Sequence, residues 1–250
     1  MRTAIRAGAL AALVLTFLSL PHTAIAGPSD YVITPIVEEG EREVDFKSGT
    51  AEFRDGTREN KHSIGLGWGA TSWWLTEVYA IWHKKPGEPS GFDAWEWENK
   101  FQLTETGKYP VDIGLLVEIE RPKDRSEGYE YRWGPLIQAD LAPEIQANLN
   151  LLFEKRIRTA GGAPAELGYQ WQVTYRWRPA FEFGVQGFGD VGPWSHWEPR
   201  LEQPHVAGPA LFGRIKLGAR EAIKYNAAVL FGLTDGAPRN TFRLQAEYEF

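Results

Sequence analysis

Along most of this chain apolar and polar residues trade places at every second position, in segments of roughly 10 to 13 residues, which is the pattern of a β-strand with two different faces. The last segment is the cleanest: Phe242, Leu244, Ala246, Tyr248 and Phe250 alternate with Arg243, Gln245, Glu247 and Glu249. In 167–179, Tyr169, Trp171, Val173, Tyr175 and Trp177 alternate with Gln170, Gln172, Thr174, Arg176 and Arg178. In 111–120, Val111, Ile113, Leu115, Val117 and Ile119 share one face, with Glu118 and Glu120 on the other. The pattern predicts twelve strands, near 41–54, 60–71, 74–85, 91–104, 110–121, 127–141, 144–157, 167–179, 181–190, 208–218, 222–233 and 239–250.

The connections alternate too. Tight ones fall at Thr71-Ser72, Glu105 to Lys108, Ala142-Pro143, Pro179-Ala180 and Gly218 to Arg220. Longer or more polar ones fall at 55–60, 84–91, 121–127, 158–166, 191–207 and 235–240. Short turns at one end and long loops at the other are the asymmetry of outer-membrane barrels, and an even strand number puts both termini on the short-turn, periplasmic side.

Composition adds an independent check. The chain has 11 Trp, 9 Tyr and 13 Phe but one Met, and the rings gather near strand ends. Trp68, Trp74, Tyr109, Tyr175, Trp177, Phe181, Tyr225, Tyr248 and Phe250 lie near tight turns; Trp82, Phe92, Trp95, Tyr129, Tyr131, Tyr169, Trp171, Phe231 and Phe242 lie near long loops. Two aromatic belts are what two membrane–water interfaces select. A soluble sandwich would bury its apolar face inward and would need no belts. The expected fold is therefore all-β: a closed antiparallel up-and-down transmembrane β-barrel of about twelve strands over 41–250.

The first residues read differently. Arg2 and Arg6 precede an uncharged apolar run from Ala7 to Leu20, and Ala24-Ile25-Ala26 is a small-x-small cleavage site. Residues 1–26 are expected to be a signal peptide, which implies export across the inner membrane to a Gram-negative outer membrane. Residues 27–40, with Tyr31-Val32-Ile33-Thr34-Pro35-Ile36-Val37, are expected to be a periplasmic arm or a plug. A net charge of −6 without a basic tract gives no nucleic-acid signal, and the absence of cysteine removes thiol chemistry and cysteine-based metal sites.

The terminal strand, Phe242-x-Leu244-x-Ala246-x-Tyr248-x-Phe250, resembles the C-terminal signature of bacterial outer-membrane β-barrel proteins. The resemblance implies recognition of the Phe250 strand by the barrel-assembly machinery and a setting among outer-membrane lipid and lipopolysaccharide. Ile64-Gly65-Leu66-Gly67-Trp68-Gly69-Ala70-Thr71-Ser72-Trp73-Trp74 resembles the first hairpin of uncharacterised proteobacterial barrels that include transporter-like proteins. It carries no substrate with it.

If the apolar face meets lipid, the other face lines the lumen. One wall then holds Glu77, Glu96, Glu98, Glu118, Glu120 and Glu130, and the other Arg156, Arg176, Arg178, Arg214, Lys216, Lys224 and Arg243. Turn positions predict Glu77 opposite Glu98, Glu96 opposite Glu118, Glu118 opposite Glu130, and Lys224 opposite Glu249. Like charges opposed across a sheet cost roughly 0.2–1 kcal/mol each, so such a ladder needs water, a cation or arginines reaching across. Two readings follow: a narrow hydrated pore for passive transport of small polar or charged solutes, or a closed barrel filled by salt bridges and acting on partners through its loops. Loop 191–207, with Trp194, His196 and Trp197, is a candidate constriction.

Catalysis, for instance on lipid, finds no constellation. His62 and Ser63 are strand neighbours and must point to opposite faces, while Ser195-His196 lies in the long loop with no partner fixed by the pattern. His196, Glu198, Glu202 and His205 could approach a metal only if that loop brought them together. No catalytic residue, cofactor or metal is assigned.

Overall fold

The computed structural model describes residues 27–159, 162 and 164–250, so the expected signal peptide lies outside the described residues. Twelve strands form one closed barrel: β1 Arg42–Glu52, β2 Arg58–Thr71, β3 Trp74–Lys84, β4 Gly91–Gln102, β5 Asp112–Pro122, β6 Tyr129–Ala142, β7 Ile145–Ile157, β8 Glu166–Arg178, β9 Phe181–Pro193, β10 His205–Lys216, β11 Ala222–Gly232 and β12 Asn240–Glu249. Each strand pairs antiparallel with its sequence neighbour, and β12 closes on β1 through ten register pairs from Glu43↔Glu249 to Glu52↔Asn240. Among the described residues no strand edge is left unpaired, which is the condition for a sheet to sit in hydrocarbon.

Tight turns form where the chain supplies them: Pro143 follows β6, and Pro179-Ala180 joins β8 to β9. Proline presets the backbone for the first corner of such a turn and cannot extend the ladder. At the other end, Asp124 caps a single 3-10 turn, Arg125–Glu127, its side chain accepting from the Ser126 backbone N–H.

Alternation sets the two faces. Ile64, Leu66, Val78, Leu244 and Phe242 point outward and stay exposed in the isolated chain, Leu66 at 65%. The outward polar atoms are paired locally: the Trp97 indole donates to Thr76 Oγ1 (2.9 Å) and the Trp74 indole to Asn99 Oδ1 (3.1 Å). The belts appear as ring contacts at both ends, Trp82–Phe92 and Phe92–Trp95 at one, Trp177–Phe181 and Tyr248–Phe250 at the other.

The buried core is in the lumen. Residues 27–40 run down its inside, from the upper part of β1 to the lower end of β2, before the chain turns into β1. Val32 packs against Phe188, Ala210, Phe212, Ala228 and Leu230. Ile33 packs against Leu116, Leu136 and Leu152. Two glycines admit the segment: a side chain at Gly49 would collide with the Pro28 carbonyl, and one at Gly69 with the Glu38 carbonyl. Polar ties hold it as well. The Val37 N–H donates to Gln102 Oε1 (2.8 Å), and Asn150 Nδ2 donates to the Ile33 carbonyl (3.1 Å). A lumen face expected to be polar throughout is therefore apolar wherever it meets Val32 and Ile33.

Candidate functional site

The six glutamates singled out from the sequence all face the lumen on β3 to β6. Glu77, Glu96, Glu98 and Glu118 are buried. Their register differs in part from the expected one. Glu77 lies opposite Glu98 as predicted, but Glu98 faces Glu118, Glu96 faces Glu120, Glu120 faces Glu130, and Glu118 faces Arg132. The β4–β5 connection turns later than expected, between Gln102 and Asp112, with the Leu103 N–H bonded to the Ile113 carbonyl. The pairing therefore shifts by two residues, which preserves every residue's face. Two acidic rows result: Glu77–Glu98–Glu118, continued by Arg132 and Glu154, and Glu96–Glu120–Glu130, continued by Arg156.

The bases do not form one opposing wall. Arg156 pairs with Glu130 (2.8 Å), inside the acidic region. Arg214 pairs with Glu249 (2.6 Å) near the lower rim, and Arg176 with Asp140 (3.1 Å). Lys224 stands in register with Glu247 rather than Glu249, although its ammonium touches both, as well as Glu41 (3.3 Å). Arg243 is buried with its guanidinium 3.9 Å from the Phe188 ring centre. Arg178 and Lys216 are exposed at strand ends, Arg178 over the Trp177 ring.

The partners of the glutamates are residues that the wall picture passed over. Arg132 binds Glu118 through Nε (3.0 Å) and Nη2 (2.7 Å) and reaches Asp30 of the inner segment (3.2 Å). Lys47 contacts Asp45 (3.5 Å) and lies between the rings of Tyr31 and Tyr79 (3.9 and 3.6 Å). Lys61 approaches Glu120 (3.8 Å). The Tyr79 hydroxyl donates to Glu77 and lies 3.1 Å from Asp45. Strand alternation places all four on the lumen face, and that signal was available in the sequence. That Asp30 and Tyr31 join them was not.

Strands β6 to β9 carry amides instead. Gln186 donates to Gln172, Gln172 to Asn148, and Asn148 to Gln138, at 3.0–3.1 Å, in one continuous chain. Asn150 donates to Gln170 just above it (3.1 Å).

Between the inner segment and these walls, the lower half of the lumen holds a cavity of about 430 Å³. It is lined by Tyr31 and Thr34, by the acids Glu43, Asp45, Glu77 and Glu247, by Lys100, Arg214 and Lys224, and by Gln172 of the amide row. Higher in the barrel, a pocket beside Pro28, Phe188 and Arg243 has room for about 20 Å³.

Loop 194–204 stays outside the pore. Trp194 packs edge-on against the outward ring of Phe153 and is 57% exposed; His196 and Trp197 are exposed as well. The expected constriction by these three residues is corrected accordingly: the backbone bond from the Trp194 N–H to the Ala165 carbonyl and the turn from Pro193 to His196 hold the loop over the rim. His205 is taken by Tyr169 and Gln203 (2.9 Å each) rather than gathered with His196 and the loop carboxylates. His62 and Ser63 point to opposite faces; His62 Nδ1 meets Ser48 (2.9 Å) on the outward side.

No protein-family model matches the chain, and no curated protein matches its sequence. Solved structures match its fold. The COG4313 outer membrane channel from Pseudomonas putida F1 aligns with a TM-score of 0.61 at 10% identity, covering 88% of this chain and 98% of that one. The NanC porin aligns at 0.56 with 11% identity over 83% of this chain and 100% of its own. The KdgM porin, solved with disordered oligogalacturonate, aligns at 0.54 with 10% identity over 83% and 99%. At such identities the likeness speaks to architecture, and the architecture is that of a bacterial outer-membrane β-barrel shared with porins and channels.

Proposed function

We propose that the protein is a narrow porin-like channel for passive movement of small polar solutes, cations above all, with residues 28–38 as a plug that sets its bore. The observation carrying this is the pair of buried acidic rows on β3 to β6, next to a cavity open to the lower lumen. A structural core has no use for Glu77 opposite Glu98 opposite Glu118; repulsion between aligned carboxylates is a cost that a cation-conducting wall turns to use. The setting in outer-membrane lipid and lipopolysaccharide, and assembly through the strand ending at Phe250, belong to the same proposal.

A second reading has its own support: the inner segment packs against the lumen wall along its length, with Pro35 fully buried beside Gly114 near the lower end and little space beside Pro28 higher up, which suits a non-conducting barrel working through its loops. Planar-bilayer recording separates the two. Folded protein, identified by its heat-modifiable mobility, should give small cation-selective steps, and deletion of residues 28–38 should enlarge them several-fold. Silence from both forms overturns the channel proposal.

A further inference from the structure

We propose that Glu96, Glu98 and Glu118 form a divalent-cation site in the barrel wall, suited to a hard ion such as calcium. One carboxylate oxygen from each residue lies within 4.8 Å of those of the other two, and all three residues are buried. Ions of this class take oxygen ligands at roughly 2.3–2.6 Å, so oxygens spaced this way can share one ion at their centre.

Proximity of acids is not enough by itself, and a second observation points to a ligand. Glu98 is 1% exposed, and its Oε1 is buried without a hydrogen-bond partner among the described residues. A buried carboxylate oxygen without a donor or counter-charge is costly. Lys47 and Lys100 lie within electrostatic range of Glu98, yet neither bonds its Oε1. The closest ionic contacts of the bases around it are made elsewhere: Lys47 to Asp45, Lys61 to Glu120, Arg156 to Glu130, and Arg132 to Asp30 as well as Glu118. None of these contacts reaches Glu96 or Glu98. Arg132 leaves Glu118 with oxygen lone pairs to spare, since both of its bonds fall on Oε2.

The site has a frame and an approach. Glu96 and Glu98 leave the same face of β4, two residues apart, and Glu118 stands opposite Glu98 on β5. Fixed strands hold the three carboxylates without cost in loop ordering. Glu77, in register with Glu98 on β3, lines the lower cavity, so an ion entering that cavity is one carboxylate from the site. The inference goes beyond the channel proposal and does not depend on it: a barrel that passes no current can still bind the ion.

Calcium binding to the full, folded chain in detergent, measured by isothermal titration in chelator-treated buffer, tests it. The wild-type protein should bind one calcium per chain in a saturable step, and binding should raise its thermal midpoint. Glu98→Gln, which keeps size and shape, should weaken binding by roughly tenfold or more, because affinity follows ligand charge. Glu59→Gln, outside the site, should leave binding unchanged. Absence of a saturable step in the wild type overturns the proposal, as does equal binding by the wild type and a heat-modifiable Glu98→Gln. Should Glu98→Gln fail to fold, Glu96→Gln takes its place with the same two outcomes.

Discussion

Strands β3 to β6 and strands β6 to β9 line one lumen with opposite strategies for satisfying polar side chains. A primary amide donates and accepts, so a row of amides can close on itself, as Gln186, Gln172, Asn148 and Gln138 do across four strands. An ionised carboxylate only accepts, so a row of glutamates must import its donors. The acidic side draws them from β1, β2 and β6, and Arg132 is tied in turn to Asp30, 102 residues away in the chain. The row from Gln186 to Gln138 is thus bonded within its own hairpins, whereas the acidic wall is complete only when the whole barrel and its inner segment are assembled. Polarity that must be satisfied from afar is the more fragile kind, and it is also the kind that an ion can satisfy.

Arg132 is the sharpest place to break that contrast. Its side chain is 18% exposed and joins Glu118 to Asp30. Arg132→Met should cost about 3 kcal/mol, since removing one partner of a buried pair strands the other charges. Urea unfolding of the detergent-folded barrel measures it. A loss below about 1 kcal/mol would mean that lumen water already solvates Glu118 and Asp30, and that the acidic wall is no more dependent on distant partners than the amide wall.

How much of this was legible in the sequence depends on how local the physics is. Alternation is a nearest-neighbour property, so the twelve strands, the lipid face and the lumen position of Glu77 or Glu98 follow from the order of residues alone. Register across β4 and β5 depends on where a connection turns, and Glu96 slid from Glu118 to Glu120 on that account. For residues 27–40 the sequence left a periplasmic arm and a plug both open, and a break in the strand pattern bears on the choice. Leu115-Leu116-Val117, Leu151-Leu152-Phe153 and Val229-Leu230-Phe231 are apolar on both faces at once, a waste in a water-filled barrel. Leu116, Leu152 and Leu230 are the residues that cover Ile33 and Val32. Those runs fit a segment held inside the lumen rather than an arm beneath it. Pairings such as Asp30 with Arg132 left no local mark at all.

The next test keeps the fold and removes only charge. Glu96→Gln together with Glu98→Gln takes two negative charges from the acidic rows while leaving the Glu118–Arg132 pair intact. In planar bilayers the ratio of cation to anion permeability should fall several-fold, with conductance steps of similar size. Unchanged selectivity would remove these two residues from the ion path and leave the field of the lumen to the lower acids, Glu43, Asp45 and Glu247.

The smallest effect is expected on the amide side. Gln172 sits mid-chain in the row, accepting from Gln186 and donating to Asn148, so Gln172→Ala leaves one donor and one acceptor unmatched. Both are neutral, and Gln172 borders the 430 Å³ cavity, so water can enter the space its side chain vacates. The cost should therefore stay near 1 kcal/mol, the net worth of ordinary hydrogen bonds that water can replace, and ion selectivity should not move because no charge has changed. The two readouts together are what matter. A loss as large as that of Arg132→Met would show that the amide row is a cooperative element of the fold rather than a self-contained one. A change in selectivity would mean that ions travel along the amides, away from the glutamates.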